Sequence, residues 1–233
     1  MNQPEPILSP RPPREPNRVV KALRGVGPVG IGVAIAIIAS GFMYGTRVCA
    51  PLVLLWVLFT RTPWRDLGFV RPKSWTLAIA GGVLAGLVCK LVMKAFVMPL
   101  LGAPDVNPNY SQFVGNTGAL PGLILYMIFV AGLGEELMFR GFMFERLGRL
   151  LGSSRNARIA MVLITATIFR VGHYPEQGYT GATQAFIIAL MVGTYFAISR
   201  NIWPVIIMHA TFDIFSVLIV YFGLESRVAN FVF

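Results

Sequence analysis

The sequence predicts an all-α, polytopic membrane helix bundle. Of its 233 residues, 55% are hydrophobic and only 13% are charged, and the mean hydropathy is +0.67. Apolar runs long enough to cross a bilayer alternate with short polar segments along the chain. Because hydrocarbon offers no partner to free backbone polar groups, such spans form helices. We expect about seven transmembrane helices, within a range of six to eight.

The chain divides into three parts. Residues 1–24 are basic and proline-rich, and we predict a disordered cytoplasmic tail there. Residues 25–118 hold the N-terminal transmembrane helices, and residues 119–223 hold a core of further transmembrane helices. The predicted spans are 25–44, 48–60, 75–101, 120–144, 159–171, 185–199 and 202–223, with a basic amphipathic piece at 145–158 and a polar loop at 173–183.

The positive charges of the chain predict its orientation in the membrane. With the N-terminus in the cytoplasm, the basic loops at 61–73 and 145–158 are also cytoplasmic, and the loop at 102–118, which has no Lys or Arg, lies outside. The net charge of +10 is thus explained by topology, and no nucleic-acid partner is expected. Cys49 and Cys89 lie in apolar runs, which disfavours a disulfide framework or a thiolate metal site. We predict a multi-pass protein of the cell membrane.

Two adjacent glutamates and an arginine lie inside the apolar run at 120–144. A charge at bilayer depth costs roughly 2.5–3.5 kcal/mol on insertion scales, so three together require a role. Glu136 and Arg140 are four residues apart and share a helix face, where their charges neutralise each other. Glu135 points about 100° away around the helix axis, without an intrahelical partner. We interpret Glu135 as the candidate functional acid.

Both histidines of the chain also lie in positions where a polar side chain is costly. His173 ends the fifth predicted span, and His209 lies inside the seventh, with Asp213 one turn later on the same face. Lipid-facing placement of such residues is disfavoured, so we expect them to converge in the bundle interior. We predict that Glu135, His173 and His209 lie close enough to share one water or ion.

Three motifs give the chain a family resemblance, which covers about residues 119–222. In their order and spacing they resemble the CPBP family of intramembrane proteases, which are type II CAAX endopeptidase-like and include CAAX prenyl proteases and bacteriocin-processing enzymes. The motifs are EExxxR at Glu135, Glu136 and Arg140, FxxxH at Phe169 and His173, and Hxxx(N/D) at His209 and Asp213.

The resemblance implies an intramembrane endopeptidase of the glutamic type, without a cofactor. Glu135 and His173 would activate a water for attack on a peptide carbonyl, and His209 with Asp213 would stabilise the oxyanion. Peptide hydrolysis without a nucleophilic Ser or Cys requires such a base and such donors. The supporting residues are Glu136 and Arg140, which hold the base in place, and Phe169, which packs against neighbouring helices.

Two residues depart from the family pattern. Arg170 occupies a position that is often a small residue, and it is expected to alter the polarity around His173. Asp213 occupies a position that is commonly Asn, and an ionised Asp cannot donate a hydrogen bond. Asp213 either orients His209 as an acceptor or, when protonated, donates to the oxyanion itself.

Other functions remain open from the residues alone. A zinc peptidase could use His173 and His209 with Asp213 or Glu135 as ligands, although no HExxH motif is present. A proton-coupled transporter could relay protons along the same acids and histidines, but no internal repeat is visible. A catalytically silent membrane scaffold or immunity factor is a further alternative. The expected partners are the lipid bilayer and a membrane-associated protein or peptide, and nothing in the sequence indicates whether the substrate is prenylated.

Overall fold

The computed structural model describes residues 17–232, and every regular element in them is helical. The longer helices follow the apolar runs of the sequence, which confirms the all-α prediction. Short 3₁₀ turns at Trp64–Leu67 and Pro108–Phe113 lie in two of the connections. The helices are α1 (Arg18–Arg24), α2 (Pro28–Tyr44), α3 (Thr46–Thr60), α4 (Trp75–Leu100), α5 (Leu120–Leu151), α6 (Arg155–Ser199), α7 (Trp203–Tyr221) and α8 (Glu225–Ala229).

Four of the helices described, α4, α5, α6 and α7, are long and apolar enough to cross a membrane. A fifth span results if α1 and α2, which are bent by 60° to each other, count as one. The predicted number of about seven spans is therefore not confirmed. Large apolar side chains such as Ile35, Leu77 and Ile198 are exposed on the outside of the bundle, where lipid would cover them.

Helix α6 folds back on itself at Gly178. This glycine has φ 62° and ψ −168°, a conformation that is almost restricted to glycine. Two pairs of residues on opposite sides of Gly178 come together: Gly193 lies against Val162, and Arg170 donates a hydrogen bond to the Thr183 hydroxyl at 3.4 Å. The two limbs of α6 are therefore antiparallel, and they contain the predicted fifth and sixth spans.

Two segments differ from the sequence prediction. Most of the predicted loop at 173–183 is helical, because the reversal of the chain takes place at a single glycine. Helix α1 lies in the segment predicted to be a disordered tail. Residues 1–16 of that predicted tail lie outside the described part of the chain. The side chain of Asn17 accepts a hydrogen bond at the start of α1, and Arg146 donates to the carbonyls of Leu23 and Arg24 at its end, which explains the helix.

The ends of the helices form two opposite faces. We call residues 17–27, 60–74, 144–158 and 199–203 the basic face. Its segments are joined by the hydrogen bond from Ile202 N–H to the Gly68 carbonyl at 2.9 Å and by the ion pair between Arg149 and Asp66 at 3.9 Å. The Lys and Arg residues of this face are Arg18, Lys21, Arg24, Arg61, Arg65, Arg71, Lys73, Arg146, Arg149, Arg155, Arg158 and Arg200.

We call residues 44–47, 101–119, 173–183 and 221–230 the cavity face. Gly115 N–H donates to the carbonyl of Tyr221 at 2.9 Å, and Asn107 N–H donates to the carboxylate of Glu225 at 3.2 Å. The Lys and Arg residues of this face are Arg47 and Arg227, against twelve on the basic face. The predicted grouping of basic loops on one side of the bundle therefore has a structural counterpart.

Close helix contacts bring the polar residues together in the centre of the bundle. A Cβ atom at Gly86 of α4 would lie 2.6 Å from the Met208 carbonyl of α7, and one at Gly132 of α5 would lie 2.7 Å from the Ala210 side chain. Small residues allow helix backbones to approach this closely in a membrane. Helix α7 is thus held between α4 and α5, with His209 facing the acidic stretch of α5.

Candidate active site

A buried carboxylate, that of Glu136, is the centre of the polar cluster. Its Oε1 accepts hydrogen bonds from the Arg140 guanidinium at 2.8 Å and from Nδ1 of His209 at 2.6 Å. Arg140 donates in addition to the carbonyl of Ala189 at 3.1 Å. The predicted pairing of Glu136 with Arg140 is present, and the same carboxylate joins α5 to α7 and to the second limb of α6.

Glu135 has a different environment, although it is the next residue in the chain. Its Oε2 lies 3.9 Å from Nε2 of His209, and its side chain is 16% exposed. Within the described residues, that oxygen accepts no hydrogen bond. The surrounding helix is π-helical at Met127–Glu135 and again at Leu137–Met143, a geometry frequent at functional sites. Glu135 is therefore the acid that is not used to hold the helices together.

His173 lies on the first limb of α6 and is oriented by its own helix. Its Nδ1 donates to the carbonyl of Phe169 at 2.8 Å, because a carbonyl can only accept. In the neutral ring this leaves the lone pair on Nε2, which is the form that a general base requires. No hydrogen bond joins His173 to Glu135 in the described structure.

Phe169 lies between the two histidines. Its ring centroid is 4.2 Å from that of His173 and 6.1 Å from that of His209. It is buried and packs edge-on against Phe139 at 4.9 Å, as expected for a residue of the core. The Phe169 ring therefore contacts both imidazoles, and its backbone carbonyl orients His173.

Asp213 lies one turn after His209 on α7, as the sequence predicts. Its Oδ2 is 3.4 Å from Nε2 of His209, on the side of the ring opposite to Nδ1 and Glu136. Nε2 of His209 thus faces both Asp213 and Glu135. Three carboxyl groups therefore surround the His209 ring, and Glu136 is the one that makes a short hydrogen bond to it.

A cavity of about 970 Å³ contains the predicted site residues at its inner end. Its volume suffices for a short stretch of polypeptide. The cavity continues past α4 and the end of α7 toward the cavity face, where Asn109 and Glu176 form part of its exposed rim. The site residues that line it are Glu135, Phe169, His173, His209 and Asp213.

Comparison with protein families adds independent support for this assignment. Residues 117–215 match the model of the family described as type II CAAX prenyl endopeptidase, Rce1-like. The match supports the CPBP/CAAX protease family for this part of the chain. No curated protein and no solved structure matches the chain. The resemblance drawn from the three motifs is thus confirmed, and all three lie within the CAAX protease domain at 117–215.

A zinc site would have to take its ligands from the acids and histidines that line the cavity. In residues 17–232, no three His, Cys, Asp or Glu side chains are arranged to hold a metal ion. Nδ1 of His209 is bound to Glu136 and Nδ1 of His173 to a backbone carbonyl, so Nε2 of each ring is the nitrogen that could bind a metal. A zinc site needs at least three ligands at about 2 Å from one point.

Two further basic residues lie near the CAAX protease site. Arg170 does not line the cavity, and its guanidinium lies 5.3 Å from the centroid of the Tyr179 ring. This position differs from the expected one beside His173. Lys90 of α4 does line the cavity, with Nζ 5.0 Å from the centroid of Phe212. From the sequence, the Lys90 side chain is expected to extend toward the membrane–water interface. Its position in the cavity depends on the close contact of α4 with α7, which no motif indicates.

Glu136 and Glu135 are predicted to differ in their effect on stability. Removing one partner of a buried ion pair costs roughly 3–5 kcal/mol, so Glu136→Ala lowers the thermal unfolding temperature of the purified protein substantially. Glu135→Ala removes a carboxylate that holds no helix, so its unfolding temperature stays at or above that of the wild type. Thermal unfolding in detergent gives the unfolding temperature of each variant. The two variants are matched, because each shortens a glutamate to alanine at adjacent positions. A Glu136→Ala variant as stable as Glu135→Ala would contradict the structural role of Glu136.

Proposed function

We propose that this protein is an intramembrane endopeptidase of the glutamic type, which hydrolyses a peptide bond in a membrane-associated protein or peptide. The observation that carries the proposal is the division of labour between the two glutamates. Oε1 of Glu136 accepts hydrogen bonds from both Arg140 and His209. Glu135, in contrast, lines the cavity, and its buried Oε2 accepts no hydrogen bond from the described residues. The match of residues 117–215 to the CAAX prenyl endopeptidase family supports the general activity.

In the proposed reaction, Glu135 takes a proton from a water molecule that attacks the peptide carbonyl. His173 assists through Nε2, whose lone pair is left free by the hydrogen bond from Nδ1 to the Phe169 carbonyl. Attack converts the carbonyl into a tetrahedral oxyanion. The proton that Glu135 has taken is then delivered to the departing amine, so the carboxylate is regenerated when the C–N bond breaks.

His209 and Asp213 are proposed to stabilise the oxyanion. His209 donates from Nδ1 to Glu136, so only a protonated ring has a second N–H, on Nε2, to offer to the oxyanion. The carboxyl groups of Glu135, Glu136 and Asp213 all lie within 3.9 Å of the ring nitrogens. Preorganised donors of this kind supply a large part of the rate enhancement in acyl transfer.

We further propose that the basic face lies in the cytoplasm and that the protein resides in the cell membrane. Twelve Lys and Arg residues on the basic face, against two on the cavity face, correspond to the distribution of positive charge found at cytoplasmic ends of membrane helices. The N-terminus of α1 is then cytoplasmic and α8 lies outside.

Glu135→Gln is predicted to abolish peptide release from membranes. The amide cannot accept the proton of the attacking water, and the loss of a general base typically costs about 10²–10⁴-fold in rate. Membrane fractions with the wild type or the variant are incubated, and the released peptides are compared by mass spectrometry. Asp66→Asn, which also converts an acid into its amide but lies on the basic face outside the cavity, is the control and retains wild-type release. Identical peptide profiles for Glu135→Gln and the wild type would contradict the proposal and favour a scaffold or transporter.

Chelation separates the glutamic from the metallopeptidase mechanism. Because Glu135 and His173 activate the water without a Lewis acid in the proposed mechanism, the purified protein retains its activity after treatment with a strong zinc chelator and contains zinc below one equivalent. Activity and metal content are measured on the same sample. Loss of activity in the chelator, restored by zinc alone, would establish the metallopeptidase instead.

Substitutions at Asp213 test its two possible roles. Asn can still accept a hydrogen bond from His209 and can also donate to an oxyanion, so Asp213→Asn keeps most of the activity. Asp213→Ala loses about 10²–10³-fold, the usual effect of removing an oxyanion-hole donor. Turnover is compared at equal protein concentration. Near wild-type turnover in both variants would show that Asp213 only packs. Complete loss of activity in Asp213→Asn but not in Asp213→Glu would indicate a charged metal ligand.

A further inference from the structure

We propose that a groove on the outside of the bundle binds a phospholipid with an anionic headgroup. The groove has a volume of about 480 Å³ and is lined by α4, by the second limb of α6 and by the first part of α7. Among the described residues, it shares no lining residue with the cavity that contains Glu135 and His209. The proposal therefore goes beyond the proposed function and does not depend on it.

The inner wall of the groove is formed by the close packing of α4 on α7. A Cβ atom at Gly82 would lie 2.8 Å from the Ile207 side chain and 3.1 Å from the Pro204 carbonyl, so the two backbones approach each other closely. Beside Gly82, a Cβ atom at Gly81 would meet nothing within 4 Å. The small residues of α4 that line the groove are Ala78, Gly81, Gly82 and Ala85.

The groove opens toward the outside of the bundle. Val192 and Val205 on its inner side are buried, whereas Leu77 and Tyr195 at its edges are 75% and 49% exposed. The helices that carry these residues are long and apolar enough to cross a membrane, so hydrocarbon surrounds them at this level. The available occupant of the apolar part is therefore a hydrocarbon chain of the bilayer.

The length of the groove matches one leaflet of a bilayer. On α4 its lining extends from Ser74, which caps the start of the helix, to Cys89, a distance of about 22 Å along the helix axis. One leaflet with its headgroup region is roughly 20–22 Å thick. A lipid whose headgroup lies at Ser74 therefore ends its acyl chain beside Cys89.

The end of the groove at the basic face has the chemistry expected for an anionic headgroup. Lys73, Ser74 and Asn201 line this end, and within the described residues no acid lines the groove or pairs with Lys73. The side-chain oxygen of Asn201 accepts from Trp203 N–H at 3.1 Å, so its amide N–H groups remain to donate to a phosphate. The N-terminus of α4 adds a partial positive charge.

A bound lipid would contact the helix that carries two of the candidate catalytic residues. Val205 and Met208 line the groove, and Met208 is followed directly by His209. The acyl chain would thus add packing contacts to α7 from outside the cavity.

The proposal is tested by counting the lipids bound to the purified, delipidated protein in detergent by native mass spectrometry. Phosphatidylglycerol and phosphatidylcholine with the same acyl chains are added separately, and we expect a single phosphatidylglycerol per chain at concentrations where phosphatidylcholine does not bind. Gly81→Leu fills the groove where a Cβ has open space, so this variant loses the bound lipid. Gly32→Leu makes the same change at an open, exposed position of α2 and retains it.

A second pair of variants tests the recognition of the headgroup. Lys73→Glu places a negative charge beside the headgroup, so phosphatidylglycerol binds roughly tenfold more weakly. Arg158→Glu also reverses a charge on the basic face but lies outside the groove, and it binds phosphatidylglycerol like the wild type. Both positions are exposed, so these variants fold even if Gly81→Leu does not.

Three results would overturn the proposal. Equal phosphatidylglycerol binding by Gly81→Leu and Gly32→Leu would show that lipid does not occupy the groove. Equal binding of both lipids, unchanged in Lys73→Glu, would show that the headgroup is not recognised. A lipid-free dimer that dissociates in Gly81→Leu would assign the groove to a second copy of this chain. Because the measurement needs no substrate, its outcome is independent of whether Glu135→Gln changes peptide release.

Discussion

The carboxylate of Glu136 is the interaction on which the rest of the site depends. It is fully buried and accepts hydrogen bonds from Arg140 on its own helix and from His209 on α7. Arg140 also donates a hydrogen bond to the Ala189 carbonyl, which connects Glu136 to the second limb of α6. A buried charge without partners would be costly at this depth, so the three segments are constrained to meet here.

This constraint explains why two adjacent glutamates have separate tasks. Since Oε1 of Glu136 binds both His209 and Arg140, Glu135 is not needed to join these segments and lines the cavity instead. The same constraint turns Nε2 of His209 toward Asp213 and Glu135. A structural ion pair thus presents both a free acid and an imidazole edge to one cavity, which is the arrangement that peptide hydrolysis by an activated water requires.

Much of the site could be predicted from the sequence because its geometry is local. The four-residue spacings of Glu136 with Arg140, Phe169 with His173, and His209 with Asp213 each produce a contact within one helix. The less predictable features depend on contacts between distant segments. Nothing in the sequence around Gly178 indicates that a single residue reverses the chain, and the basic residue Arg146 is buried because it donates to the end of α1.

Incorporation of oxygen from isotopically labelled water tests most directly whether water activated by Glu135 cleaves peptide bonds in the cavity. Membranes with the wild type or Glu135→Gln are incubated in H₂¹⁸O, and new peptide C-termini are analysed by mass spectrometry. Hydrolysis places an ¹⁸O atom in each new carboxyl group, so cleavage is detected whatever the substrate is. We expect ¹⁸O-labelled C-termini that depend on Glu135. The same set of labelled C-termini in both samples would contradict the claim.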